Sequence, residues 1–305
     1  MATRNTIRTR RPAPPSKKPA GAAAGTRRPY AGSAALIERL SALFPPGQGC
    51  DAACVYCRGG SGLQGVFTSA KIDPSGPAGP VAVLGAAEDP YSTQQLRQAV
   101  TRSNLEALRE LGSPLVIVTR SPQILRDLDI LSVLAREGRL RVFVALGTLD
   151  AQASHRLEPD ADDPQARIDT IRAMARAGLH AGVLLTPVIP GLTSTDVEAV
   201  LEAAAAAGAG YADIAVFALP PRAGELFAQW LKHQFPHRSN VLLGLMQALG
   251  QQVSSPSGSP RPAAETPDYL NRIAARFDLA CRRFLLEPVA SPRCCGRFRV
   301  PGADG

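Results

Sequence analysis

The chain has 305 residues, 45% hydrophobic and 20% charged, which is enough for one large domain with a real core. No apolar run approaches the roughly 18–20 residues that span a bilayer, so the reading is a soluble, cytoplasmic protein with no membrane partner. The formal charge of +8 suggests an acidic partner only until it is located. Arg4, Arg8, Arg10, Arg11, Lys17, Lys18, Arg27 and Arg28 precede the first acid, Glu38, and the remaining 26 basic residues match the 26 acidic ones. The basicity therefore belongs to an arm, residues 1–38, rich in Pro, Ala and Gly. Such a segment cannot bury enough apolar area to order itself. Weak, salt-sensitive contact with nucleic acid is one use for it. An Arg-rich, acid-free start also fits an organellar transit peptide.

After the arm comes the loop GQGCDAACVYCRGG, residues 47–60. Cys50, Cys54 and Cys57 offer three thiolates in eight residues, and glycines at 47, 49, 59 and 60 let the loop wrap closely around a cofactor. An iron–sulfur cubane needs one ligand per iron, so three thiolates leave one iron open to chelate a small molecule. Structural zinc usually takes four ligands, commonly as two pairs, and no second pair occurs. The remaining cysteines are Cys281, Cys294 and Cys295. Clustering of this kind points to a reducing compartment and a metal site rather than to a disulfide scaffold.

From residue 81 strand-like and helix-like segments alternate. The runs are Val81 to Gly85, Leu115 to Thr119, Arg141 to Leu146, His180 to Thr186 and Asp213 to Ala218. Between them lie helical stretches at Thr93 to Leu111, Ile124 to Arg136, Pro164 to Ala177 and Thr195 to Ala207. Thr195 and Glu198 have capping-box spacing, and Gly208 suits a helix stop. Short apolar strands between helices imply βαβ units and a parallel sheet. With one more strand near the cysteine loop there are about six repeats. A doubly wound sheet and a partial barrel are both compatible with them. Beyond Pro221 the pattern is helical, with Leu226, Trp230 and Leu231 on one face and Leu242, Leu245, Met246 and Leu249 on the next. Residues 251–267 read as a linker. A last helix runs from about Asp268 to Leu285, with Ile273, Phe277, Cys281 and Phe284 on one face, and residues from Pro288 on read as a tail. In domains this gives an arm (1–38), a barrel (39–222), a helical extension (223–250), a linker (251–267), a C-terminal helix (268–286) and a tail (287–305).

CxxxCxxC with an aromatic residue, Tyr56, before the last cysteine resembles the signature of the radical S-adenosylmethionine superfamily. DPY (89–91), TLD (148–150), RLEPDADDPQARIDTIRAMARAGLHAGV (156–183), PVIPGL (187–192), FAQWLKHQFP (227–236) and RFDLACRR (276–283) sharpen the resemblance to its spore photoproduct lyase-like branch, over about residues 44 to 286. That resemblance implies an α/β fold, a partial (β/α)6 TIM-type barrel with a C-terminal helical extension. It further implies a [4Fe–4S] cluster on Cys50, Cys54 and Cys57, S-adenosylmethionine as cosubstrate, and an electron donor such as a flavodoxin or ferredoxin. The implied reaction makes a 5′-deoxyadenosyl radical that abstracts hydrogen from a substrate the sequence does not name. Expected at the cosubstrate are Tyr56, Asp89, Thr119, Ser121, Arg156, Glu158 and Arg167, where a carboxylate can hold ribose hydroxyls and an arginine can pair with the methionyl carboxylate. The chain departs from the branch at Ala52 and Arg58, where histidine and tyrosine are common, and in PPGQGC (45–50) and EDPYSTQQ (88–95). No cysteine lies between Arg58 and Ala280, so thymine-dimer repair through a cysteine hydrogen donor inside the barrel is not expected. The alternative from another class is a non-catalytic iron–sulfur or zinc protein that binds nucleic acid through its basic arm.

Overall fold

A computed structural model describes residues 82–85, 89–92, 95–112, 114–217, 224–249 and 266–288. The cysteine loop, the strand expected beside it, the basic arm, and Cys294 with Cys295 lie outside these residues. Six strands form one sheet: β1 (Ala82–Leu84), β2 (Leu115–Thr119), β3 (Leu140–Ala145), β4 (Gly182–Val188), β5 (Tyr211–Val216) and β6 (Glu287–Pro288). All neighbours are parallel and the order is sequential, β1-β2-β3-β4-β5-β6. This order settles the alternatives left open by the alternation. A doubly wound sheet reverses its strand order and covers both faces with helices, whereas a sequential order places every crossover on one side, as in a barrel wall.

The helices are α1 (Gln95–Glu110), α2 (Leu128–Arg136), α3 (Ala151–Leu157), α4 (Pro164–Arg176), α5 (Val197–Ala206), α6 (Gly224–Gln234), α7 (Ser239–Ala248) and α8 (Thr266–Phe284), with a 3-10 turn at Pro122–Asp127. Leu105, Leu131, Ile171, Leu201 and Phe277 from α1, α2, α4, α5 and α8 pack with Ile117, Val144, Val183 and Ile214 into one core. The intervening strand residues face the other way. Phe143, Leu184 and Tyr211 form a separate cluster there with Val116, Val118 and Ala215, which is the inner wall of the barrel. Alternation along strands buried on both faces explains why β4 is buried at every position. Tyr211 reaches across Gly182, where a β-carbon would lie 2.1 Å from the tyrosine ring, and stacks edge-on against Phe143. Its hydroxyl donates to the carbonyl of Val142 and accepts from the amide of the same residue, at 2.9 and 2.7 Å.

Three local details differ from the sequence reading. Thr195 and Glu198 make no capping box. The N-cap of α5 is Asp196, Thr195 donates to the carbonyl of Leu192, and Glu198 is drawn instead to Arg276 on α8. A seven-residue helix, α3, follows β3 because the Asp150 side chain accepts from the amides of Gln152 and Ala153. Glu287 and Pro288 belong to a strand rather than to a tail, pairing with Tyr211 and Ala212 at the sheet edge, where a proline is tolerated. Gly208 does end its helix, at φ +98°, and Ile273, Phe277 and Cys281 are buried on one face of α8. Helices α6 and α7 join the chain that leaves β4 and β5: Phe227, Leu231, Leu242 and Met246 pack with Ile189, Leu192 and Phe217.

Candidate active site at the strand ends

In a parallel barrel the carboxyl ends of all strands open on one side, where loops can vary without disturbing the wall. Asp89 follows β1 and is buried. Its Oδ1 accepts from the Thr119 hydroxyl at 2.6 Å and from the Tyr91 amide at 3.0 Å, and its Oδ2 accepts from the Arg120 amide at 2.6 Å. Thr119 in turn accepts from the Ser121 amide. Ser121 caps the following 3-10 turn by accepting from Gln123. The ends of β1 and β2 are thereby latched by a carboxylate, a hydroxyl and a backbone amide.

A second group lies beyond β3. Glu158 is 3% exposed, accepts from Arg120 Nε at 2.9 Å and pairs with Arg167, which is 0% exposed. Arg167 also donates to the carbonyls of Asp162 and Ala145, at 2.8 and 3.2 Å. Burial pushes the Glu158 carboxyl up, and the Arg167 guanidinium opposes that shift. Arg120 joins the two groups, its amide on Asp89 and its guanidinium on Glu158. A guanidinium fixed by a buried carboxylate is preorganised to meet a carboxylate ligand in a defined plane.

Thus Asp89, Thr119, Ser121, Glu158 and Arg167 are brought into one continuous network, and Arg156 is not. The Arg156 guanidinium donates to the carbonyl of Gln234 and lies over the ring of Phe235, 5.0 Å from its centre, so it ties α3 to the end of α6. Cys50, Cys54, Tyr56 and Cys57 lie outside the described residues. Sequence reasoning passed over Arg120, although its place between Thr119 and Ser121 at a strand end marks it. It also passed over Asp213, the lone acid in the apolar strand YADIAV. Asp213 is buried on the inner wall, and burial raises its carboxyl to about 6.

No family model matches the chain. Uncharacterized proteins of Mycobacterium bovis and Mycobacterium tuberculosis are 33% identical over 157 residues, covering 50% of this chain and 46% of theirs. A protein of Pseudomonas phage M6 named radical SAM Nalpha-GlyT isomerase is 25% identical over 178 residues, 54% of this chain and 36% of its own. The chain therefore spans about half the length, or less, of the curated relatives it matches. A cysteine-to-serine variant of spore photoproduct lyase superposes with a TM-score of 0.50 at 14% identity, over 79% of this chain and 73% of that one. No helix among the described residues is long and apolar enough to cross a membrane. In fold, the chain is similar to spore photoproduct lyase.

Proposed function

We propose that the chain is a radical S-adenosylmethionine enzyme whose cosubstrate is held at the carboxyl ends of β1, β2 and β3. The observation that carries this reading is the rim network itself, which gathers Asp89, Thr119, Arg120 and Glu158 above a largely apolar inner wall. Among the described residues no group of His, Cys, Asp or Glu could hold a metal. Cys50, Cys54 and Cys57 are the donor set for a [4Fe–4S] cluster, since three thiolates suit an iron cubane with one open site. When bound, the reduced cluster and S-adenosylmethionine supply a 5′-deoxyadenosyl radical that removes a hydrogen atom from substrate.

The chain's own groups have separable tasks. Asp89 has lone-pair capacity left on Oδ2 for one ammonium N–H, which suits an amino-acid-like ligand. Arg120, oriented by Glu158, pairs with a carboxylate, while Arg167 positions Glu158 from behind. Tyr56, one residue before Cys57, lines the cosubstrate. Val116, Val118, Phe143 and Leu184 line the wall and keep water from the reacting centre. A small flavodoxin or ferredoxin supplies the electron.

The test is anaerobic reconstitution of the full chain, followed by iron and sulfide counts, electron paramagnetic resonance with and without S-adenosylmethionine, and chromatography for 5′-deoxyadenosine. About four irons per chain, a signal perturbed by the cosubstrate, and loss of that signal in Cys54→Ala are expected. Stoichiometric zinc, or a cluster indifferent to S-adenosylmethionine, would refute the reading and favour a binding protein.

A further inference from the structure

The inner wall can be read in layers from the strand register. Val118, Phe143, Gly182 and Tyr211 are successive partners and form one layer. With the tyrosine ring lying across Gly182 and against Phe143, that layer is a floor. One layer nearer the mouth stand Ala145, Leu184 and Asp213. Beyond them, two residues on from Leu184 and Asp213, come Thr186 and Ala215. Alanine, the smallest side chain on this wall after glycine, stands at two of these positions.

Two polar side chains stand out on this wall. Asp213 is 7% exposed; its Oδ1 accepts the amide of the next residue, Ile214, at 2.8 Å, and no cation is paired with it among the described residues. The Arg141 guanidinium lies over the Tyr211 ring of the floor layer. Thr186 is 0% exposed and its hydroxyl has no hydrogen-bond partner among the described residues. Carboxylates are seldom buried without a partner, and buried hydroxyls usually find one. Both groups face the same interior, on adjoining strands, diagonally one layer apart.

We propose that Asp213 and Thr186 form a polar subsite inside the barrel that takes a protonated amine or a comparable N–H-donating group of the substrate. The carboxylate provides the counter-charge and the hydroxyl a second hydrogen bond, while Leu184 and the aromatic floor pack against the carbon next to the nitrogen. This rests on the radical enzyme reading, because that reading makes the interior the reaction chamber. It adds a class of substrate: one that presents a cationic nitrogen towards β4 and β5.

The experiment uses the reconstituted full chain and three probes: n-butylammonium, its neutral isostere butan-1-ol, and butyrate. Saturation-transfer magnetic resonance titrations give the affinities. Butylammonium binds, and its affinity falls about ten- to a hundredfold in Asp213→Asn, the range for a hydrogen bond to a charged group. A smaller fall is expected in Thr186→Val, and butyrate does not compete. Asp213→Asn removes an uncompensated buried charge, so it folds, as circular dichroism will verify. Absence of saturable ammonium binding, or binding that Asp213→Asn leaves unmoved, overturns the subsite. If 5′-deoxyadenosine is formed while ammonium binding ignores Asp213, only the subsite falls. If ammonium binding depends on Asp213 but no cluster signal responds to S-adenosylmethionine, the subsite stands and the radical reading falls.

Discussion

Replacing Glu158 by glutamine probes how much of the barrel rim is held by charge. The carboxylate meets two guanidinium groups, one of them fully buried. A neutral amide cannot balance them. Arg167 would keep neutral oxygens as its hydrogen-bond partners, the carbonyls of Asp162 and Ala145 and at most the glutamine amide oxygen, in a place water does not reach. Removing one partner of a buried pair costs about 3–5 kcal/mol, because the remaining charge is left uncompensated. For a body on the order of 200 residues each kcal/mol moves Tm by about 2–4 °C, so the variant should melt about 6–20 °C lower. Glu198→Gln is the matched control. Its partner is Arg276, the two side chains are 41% and 39% exposed, and such a pair is worth about 0–1 kcal/mol. Calorimetric melts at neutral pH, with guanidinium unfolding to check that the m-value is unchanged, would compare the two directly. Equal losses for Glu158→Gln and Glu198→Gln would show that burial does not set the strength of this network.

Other expectations concern the floor and the inner wall. Tyr211→Phe strips the buried amide and carbonyl of Val142 of their partner and should cost about 1–3 kcal/mol in denaturant melts, with a change below about 0.5 kcal/mol contradicting it. Gly182→Ala drives a methyl into the Tyr211 ring and should cost about 1–3 kcal/mol or more. The same substitution in a Tyr211→Val background should cost less, and strict additivity would show that the ring is not what excludes the β-carbon. Asp213 has its carboxyl raised from 3.8 to about 6, so the native state favours its protonated form. That contribution is fully present below 3.8 and lost as pH rises through about 6. Measured against Asp213→Asn across this window, the native chain should therefore lose up to about 3 kcal/mol. A stability difference that is flat with pH would exclude the shift.

How much of this was legible in the sequence depends on how locally each feature is determined. Strands and helices from Leu115 to Val216 announced themselves because β-branched runs and 3.6-residue periodicity are local properties. Their arrangement was not local. A flat sheet and a barrel wall share the same alternation, and only the sequential strand order separates them. The capping box at Thr195 failed for a related reason. Its spacing was right, but Arg276, distant in sequence, offered Glu198 a charged partner that the α5 amides could not match. At the rim, Asp89, Thr119 and Ser121 are visible as polar residues at strand ends, and Glu158 and Arg167 as charged residues in the segment between β3 and β4. Arg156 looked equivalent to Glu158 two positions away, yet the turn of the helix sends it to Phe235. Arg120 was masked by its neighbours, and Asp213 by being taken for the start of a strand whose first residue is Tyr211.

The rim and the inner wall use polar groups in opposite ways. At the rim each charge is answered: Asp89 by two amides and a hydroxyl, Glu158 by two guanidinium groups, Arg167 by a carboxylate and two carbonyls. Such closure fixes side chains without help from a ligand, which is what a platform for a recurring cosubstrate requires. Below it, among the described residues, a buried carboxyl has no cation and a buried hydroxyl has no partner on a largely apolar wall. Either group left unsatisfied weakens the fold, and an apolar residue of similar size would relieve the penalty. Retaining both is consistent with a ligand that completes them. Under the proposed function, the self-satisfied rim would hold the cosubstrate and the incomplete interior would select the substrate.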